Sequence, residues 1–319
     1  MSATGKKLLI TRQTLAPVLD ALRASFDVTE GDGALDAAAA ARALETYDAI
    51  IPTIGDDFSA QVFEMAGTIR CGVLSNYGVG YSHIDDAAAK AHGLVVSNTP
   101  DVLTDATADI GMTLLLATAR RAGEGERMVR SGAWSGFGPK GLLGTHVTGK
   151  TLGIVGMGRI GQAVARRGHY GFSMPVIYYN RSRKDAGLPA RQVESLAELM
   201  SEADFVVVTV PGGRETTGLI DRAALAAMKP SGIFINIARG EVVDETALID
   251  ALEAGAIKGA GLDVYVNEPD VPARLTALDN CVLLPHLGSA TFETRVAMGM
   301  VAVRNVRAWA EGRPLPQGV

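Results

Sequence analysis

Two constellations in this sequence have residue types and spacing suited to chemistry. The first is Gly156-Met157-Gly158-Arg159-Ile160-Gly161, a G-x-G-x-x-G series directly behind the apolar run Leu152-Gly153-Ile154-Val155 and at the head of a helical pattern. In that context Gly156 permits a tight turn and Gly158 lets a pyrophosphate approach the backbone. Gly161 lets the helix pack on the strand, and the helix N-terminus offers N–H groups to the phosphates. The second constellation is Arg239, Glu268 and His286. They stand in Asn236-Ile237-Ala238-Arg239-Gly240, Asn267-Glu268-Pro269 and Pro285-His286-Leu287-Gly288-Ser289, each beyond a short apolar run. A guanidinium is a planar fork for a carboxylate, and imidazole, ordinarily titrating near ~6.5, moves protons at neutral pH. Singly, an Arg-Gly is a solvated corner, a Glu-Pro a turn and a His after Pro a core residue. Their common placement after strands, where ligands of open α/β sheets bind, is what points to a site.

The residues after the glycine motif bear on the choice of dinucleotide. An NAD site places Asp or Glu about 20 residues on, for the ribose 2′-hydroxyl. Here the next strand candidate, Val176–Tyr179, runs into Asn180-Arg181-Ser182-Arg183. No carboxylate stands there to repel a 2′-phosphate, and two guanidinium groups and a hydroxyl stand ready to bind one. The sequence therefore favours NADP(H), with NAD(H) as the alternative if Arg181 and Arg183 are only solvated loop charges.

These residues need a scaffold, and the hydropathy pattern supplies two. Strand candidates Leu8–Thr11, Phe26–Thr29, Ala49–Ile54, Ile69–Ser75 and Leu94–Ser97 alternate with Ala-rich helical stretches over the first hundred residues. A long helical stretch from Asp105 to about Ala122 follows, then a Gly-rich segment, Gly123–Thr148, that reads as an irregular arm. From Thr151 six further strand candidates follow: Thr151–Gly156, Val176–Tyr179, Phe205–Val210, Ile233–Ile237, Gly261–Val264 and Val282–Leu284. Strand–helix alternation predicts α/β architecture with two doubly wound parallel sheets. By pattern alone the last helix, from Ala290 to about Glu311, fits either one.

Composition narrows the function classes. Of 319 residues 37 are Gly, roughly 12% against a usual ~7%, while apolar and charged fractions are ordinary, so the excess implies tight turns and close backbone approaches rather than disorder. A net charge of -5 excludes a global basic field for nucleic acid. Two cysteines, Cys71 and Cys281, make no disulfide framework and read as buried free thiols. With no His/Cys/Asp cluster at ligand spacing, no metal is expected. The apolar stretch near the N-terminus is too short for a signal-peptide core, and Ile110–Ala119, the longest apolar run, falls far short of the ~20 residues of a membrane span. The expectation is a cytoplasmic protein without a membrane or nucleic-acid partner.

Taken together the motifs resemble the D-isomer-specific 2-hydroxyacid dehydrogenase family, and within it the glyoxylate/hydroxypyruvate reductases. The resemblance spans nearly the whole chain. It is carried by Tyr77-Gly78-Val79-Gly80, Thr99-Pro100-Asp101-Val102-Leu103-Thr104, the glycine motif, Asn236–Gly240, Gly261-Leu262-Asp263-Val264, Glu268-Pro269 and Pro285–Thr291. It implies a Rossmann dinucleotide-binding domain, 101–287, inserted in a flavodoxin-like substrate domain made of 1–100 plus 288–319. The 123–148 arm would be the contact of a homodimer. It also implies reduction of small 2-oxo acids to D-2-hydroxy acids, with His286 as general acid/base, Glu268 hydrogen-bonded to it, and Arg239 binding the carboxylate and polarising the ketone. Backbone N–H groups of Val79 and Gly80 would bind the same carboxylate. Thr107, Arg159, Ile160, Val210, Ile237, Asp263 and Gly288 match cofactor-contact positions. The physics of these roles agrees: hydride addition develops charge on the ketone oxygen, which a positioned acid quenches, and a neighbouring carboxylate keeps that acid loaded near neutrality.

The chain also departs from the family pattern. Asp109 stands where Glu is usual. Trp134 is followed by Phe137 where the reductase branch often has a second Trp that reaches a partner's pocket. Ser82 stands where many relatives have Asp. Glu268 argues against the formate dehydrogenase branch, which pairs Gln with its His. The intact Arg239, Glu268 and His286 argue against a dinucleotide-sensing scaffold on the same fold. A dehydrogenase of a different small acid using NAD is the remaining alternative.

Overall fold

The computed structural model describes residues 5–319. Its strands fall into two sheets in which every strand pairing is parallel. One unit comprises the described residues up to Leu103 together with Ala290–Val319; the other is Thr104–Ser289.

In the first unit β1 (Lys7–Ile10), β2 (Asp27–Glu30), β3 (Ala49–Ile51), β4 (Val73–Ser75) and β5 (Val95–Ser97) lie in the order β2-β1-β3-β4-β5, the flavodoxin-like arrangement. Side chains alternate between faces along a strand, and the core divides accordingly. Leu9, Ile50 and Leu74 pack with Leu44, Phe58, Val62 and Phe63 on one face. Leu8, Ile10, Ala49, Ile51 and Val73 pack with Val18 and Leu22 on the other. The helix Ala16–Arg23 is only eight residues long and does not cover that second face by itself. The 19-residue helix Phe292–Ala310 completes it with Ala302, Val303 and Val306. The chain end returns to this unit because the apolar face of the sheet needs it. The two helices meet at Gly299, where an added Cβ would lie 2.3 Å from Val18 Cγ2 and 3.1 Å from the Tyr77 hydroxyl.

In the second unit β6 (Leu152–Val155), β7 (Val176–Tyr179), β8 (Ala190–Gln192), β9 (Phe205–Val208), β10 (Ile233–Asn236), β11 (Gly259–Leu262) and β12 (Cys281–Leu283) lie in the order β12-β11-β10-β9-β6-β7-β8. This is the dinucleotide-binding order with one strand added at the edge. The added strand is β12; β8, at the opposite edge, is the one strand the sequence pattern does not indicate, because an edge strand needs only one partner and no apolar run. It reads Ala-Arg-Gln, pairs with Val176–Tyr178, and its Arg191 forms ion pairs with Glu198 and Glu202. The buried valines and isoleucines of β6, β9 and β10 divide between two apolar layers, one against Leu114, Leu115, Ala163 and Val164, the other against Leu199, Met200, Leu225 and Leu248.

The segment read as an irregular arm begins instead with a helix, Ala122–Arg130. No residue of it is buried, so hydropathy gives no signal. Its support is local: Arg121 pairs with Glu124 at 2.7 Å, and Glu126 with Arg130 one turn on, the spacing at which helical side chains meet. Residues 131–141 are exposed without regular structure. Asp109 pairs with Arg167 at 2.7 Å, so the shorter carboxylate still ties two helical segments together. Both cysteines are buried and free, and burial pushes each thiol pKa up to about 12.

Gly299→Val should overpack the contact between the two helices and lower the stability of the first unit by about 1–3 kcal/mol. The check is a shift of the urea-unfolding midpoint to lower concentration.

Candidate active site

Strands β10, β11 and β12 run side by side in register, Ile235 opposite Gly261 and Gly261 opposite Val282. Their carboxyl ends therefore open at one edge, and Arg239, Glu268 and His286 follow them. His286 Nδ1 lies 2.7 Å from Glu268 Oε2, with the two side chains 29% and 27% exposed. The other Glu268 oxygen accepts from Tyr265 N at 3.0 Å, so neither end of the carboxylate is idle. Burial works against the Glu268 anion, but its hydrogen bond to His286, the charge of His286, the Tyr265 N–H and the Arg239 charge outweigh burial and hold its pKa below the ordinary value. Glu268 is thus ionised wherever an imidazole titrates.

Arg239 stands on a corner set by Asn236, whose Nδ2 donates to Arg239 O at 2.9 Å while its Oδ1 accepts from Ala238 N at 3.0 Å. Burial pushes the guanidinium pKa below its usual value, opposed by the charges of Glu268 and Glu241. The corner lies against the Glu268 loop: a Cβ on Gly240 would fall 2.0 Å from Tyr265 C, so only glycine admits this approach. Glu241 Oε1 accepts from Gly213 N at 2.9 Å, fastening the same corner to the loop after β9.

His286 has a φ of 53°, a left-handed conformation uncommon for a residue with a Cβ. Asp263, 1% exposed, holds it there. The Asp263 carbonyl accepts from His286 N at 3.0 Å, and its carboxylate oxygens accept from Leu287 N at 2.6 Å and Gly288 N at 2.8 Å. Thr107 Oγ1 donates to Gly288 O at 2.9 Å. Burial raises the Asp263 pKa, against the lowering effect of these N–H groups and of His286. Thr107, Asp263 and Gly288, matched by resemblance to cofactor positions, are thereby engaged in shaping the His286 turn. Sequence reading missed the clamp because a single Asp after a strand carries no signal of what its oxygens accept.

The glycine motif has the shape a dinucleotide requires. Gly156 has φ 98° and lies against Val210, and a Cβ on Gly161 would be 2.2 Å from Gly156 O, while Gly158 has open space where a Cβ would be. Arg159 and Ile160 open the helix Arg159–Arg166 behind it. Ile237 is buried against Gly111. Asn180 is turned inward: its Oδ1 accepts from Met157 N at 3.2 Å and its Nδ2 donates to Ser182 O at 2.7 Å. Arg181, Ser182 and Arg183 are exposed. The residues present therefore fit a dinucleotide.

In the first unit the loop carrying Val79 and Gly80 is held by two amides that sequence reading passed over. Asn76 Nδ2 donates to Gly78 O and Gly80 O at 2.9 and 3.0 Å, and Asn98 Nδ2 to Val79 O at 2.9 Å. With all three carbonyls occupied on one side, the loop keeps a fixed course.

The family model for the D-isomer specific 2-hydroxyacid dehydrogenase, NAD binding domain, matches residues 112–288. The chain belongs to this family. Glyoxylate reductase of Pyrococcus furiosus is 44% identical over 97% of this chain and 94% of its own length. Glyoxylate/hydroxypyruvate reductase B of Pectobacterium carotovorum is 44% identical over 92% and 93%. Among solved structures, the NADPH-dependent glyoxylate/hydroxypyruvate reductase of Sinorhizobium meliloti, in complex with NADP and malonate, superposes with a TM-score of 0.88 at 35% identity, covering 98% of this chain and 96% of that one. This 2-hydroxyacid dehydrogenase is an NAD(P)-dependent oxidoreductase. Among the described residues no helix is long and apolar enough to cross a membrane, and no three metal-ligating side chains cluster.

The depressed Glu268 pKa makes a stability statement. A carboxylate that binds protons less readily folded than unfolded contributes stability above its ordinary value and loses it as pH falls through the lower folded value. Glu268→Gln should therefore be less stable than the parent at pH above about 4.5, the ordinary glutamate value, and the gap should close at lower pH. Urea midpoints measured across that range check this.

Proposed function

We propose that this dehydrogenase reduces small 2-oxo acids of the glyoxylate and hydroxypyruvate kind to D-2-hydroxy acids, with NADPH preferred to NADH. The contact that carries the reading is Glu268 Oε2 at 2.7 Å from His286 Nδ1. A carboxylate at Nδ1 orients the ring and leaves Nε2 as the proton-bearing atom for the substrate oxygen. The nicotinamide, when bound, supplies the hydride. Arg239 offers its fork to the substrate carboxylate and polarises the adjacent ketone, and the main-chain N–H groups of Val79 and Gly80 keep the carboxylate-binding role the family resemblance gives them. As the carbonyl π electrons pass to oxygen, the proton on His286 moves to it; in the reverse direction the neutral ring takes the hydroxyl proton. Exposed Arg181, Ser182 and Arg183, with no acidic residue beside them in the strand-end loop, support NADPH, as does the NADPH dependence of the Sinorhizobium meliloti relative.

The exposed segment after Arg130, which presents Phe137 at 93% and Trp134 at 60% exposure, supports a homodimer in which this arm meets a second copy. Sedimentation at micromolar concentration should give twice the chain mass, and a variant lacking 131–141 should sediment as a monomer. Two buried free thiols suit a reducing compartment, and we place the enzyme in the cytoplasm.

Nicotinamide absorbance with a panel of 2-oxo acids and both cofactors is the direct test. No turnover with any acid would overturn the activity, and equal or better turnover with NADH would overturn the preference. His286→Ala should lower kcat by about 10²–10⁴-fold while cofactor binding persists. In the same assay Glu268→Gln should also lower kcat, since a neutral amide holds the His286 ring by a weaker hydrogen bond than the carboxylate does.

A further inference from the structure

Of the two guanidinium groups that follow β7, one already has an anionic partner. Arg181 Nη1 forms an ion pair with Glu215 Oε2, a residue 34 positions further on in the loop after β9. Both sides of this contact are held by the backbone around them. Beside Arg181, the inward-turned Asn180 joins Met157 of the glycine motif to Ser182, and its carbonyl accepts from Gln192 Nε2 at 2.9 Å. Beside Glu215, the N–H groups of Thr216 and Thr217 both donate to Gly213 O, at 2.9 and 3.0 Å, and Thr216 Oγ1 donates to Pro211 O at 2.6 Å. Gly213 N is fixed in turn by Glu241. The carboxylate is thus offered to Arg181 by an ordered turn. Among the described residues no carboxylate pairs with Arg183 or with the exposed Arg214.

A carboxylate and a phosphate compete for the same guanidinium donors. We infer that Glu215 is a specificity-determining residue: it occupies Arg181 whenever the ribose carries a 2′-hydroxyl, and it must surrender Arg181 to a 2′-phosphate. The inference rests on the proposed assignment of Arg181 and Arg183 to the 2′ position. Glu215 then has two opposing effects on the phosphate. It must be displaced, and afterwards it remains as a like charge close to a group bearing roughly −1.5 to −2 at neutral pH. A 2′-hydroxyl meets neither effect. Glu215 accordingly narrows the preference for NADPH and lets NADH compete, while Arg183 and Arg214 keep the loop cationic.

The pair is largely exposed, at 82% and 77%, and exposed pairs are weak, so removing Glu215 should tighten binding of a 2′-phosphate by about 1.5- to fivefold. The experiment is calorimetric titration of the cofactor-free protein with 2′,5′-ADP and 5′-AMP, so the readout is binding and not turnover. Parent, Glu215→Gln, Arg181→Ala and the double variant are compared, with melting curves to show that each is folded. Glu215→Gln should tighten 2′,5′-ADP by that factor, leave 5′-AMP unchanged, and have a smaller effect once Arg181 is alanine, where only the like charge is relieved. If the parent discriminates but Glu215→Gln leaves the ratio of the two Kd values unchanged, or shifts it equally in the Arg181→Ala background, Glu215 plays no such part and the NADPH reading stands. If neither the parent nor Glu215→Gln prefers 2′,5′-ADP, the assignment of the 2′ site fails and the inference with it.

Discussion

The carboxylate of Asp263 is the contact on which the geometry of the site depends. It sits almost entirely out of water, where an unpaired charge is costly, and its two oxygens are answered by consecutive N–H groups, those of Leu287 and Gly288. That double acceptance holds the chain in a left-handed turn at His286 and sets which way the imidazole leaves the backbone. The Glu268 hydrogen bond then acts on a ring whose origin is already fixed. Orientation of His286 is thus divided: the main chain is set by one buried anion, the ring by a second, partly exposed one.

The same division recurs on the opposite side of the trio. Arg239 takes its place from Asn236, which joins both ends of the corner, and from Gly240, whose missing side chain lets that corner lie against Tyr265 and Val266. Three strand ends are thereby drawn together by contacts at van der Waals or hydrogen-bond distance. Parallel pairing of β10, β11 and β12 brings the loops to a common edge, but pairing alone leaves loops of different length free to diverge. The close approach at Gly240 and the Asp263 clamp remove that freedom.

Charge is arranged with the same economy. Arg239 is a cation taken partly out of water and flanked by Glu268 and Glu241, and Glu268 is an anion kept ionised by a cation and hydrogen bonds on either side. Each charge depends on its neighbours for compensation, and Glu241 also anchors the loop after β9, which carries Val210 beside the glycine motif and Glu215 beside Arg181. The Arg239 corner and the loops around the glycine motif consequently share a scaffold of short-range contacts within one unit.

Much of this was legible in the sequence. Local apolar runs separated by helical patterns are enough to indicate parallel α/β sheets, and a G-x-G-x-x-G series between strand and helix has a backbone meaning that holds whatever surrounds it. Arg239, Glu268 and His286 were legible for the same reason, as polar groups just beyond apolar runs. What needed tertiary structure lacks a local signature. The β8 edge strand has no apolar run, and the helix Ala122–Arg130 buries nothing. The return of the last helix is decided by a sheet face more than two hundred residues earlier in the chain. Asp263, Asn76, Asn98, Glu241 and Glu215 act through partners remote in sequence or through backbone N–H groups that every residue possesses, so their types and spacing say nothing of what they hold. Local sequence determines which elements form, whereas long-range packing and the satisfaction of buried polar groups decide how those elements aim the side chains between them.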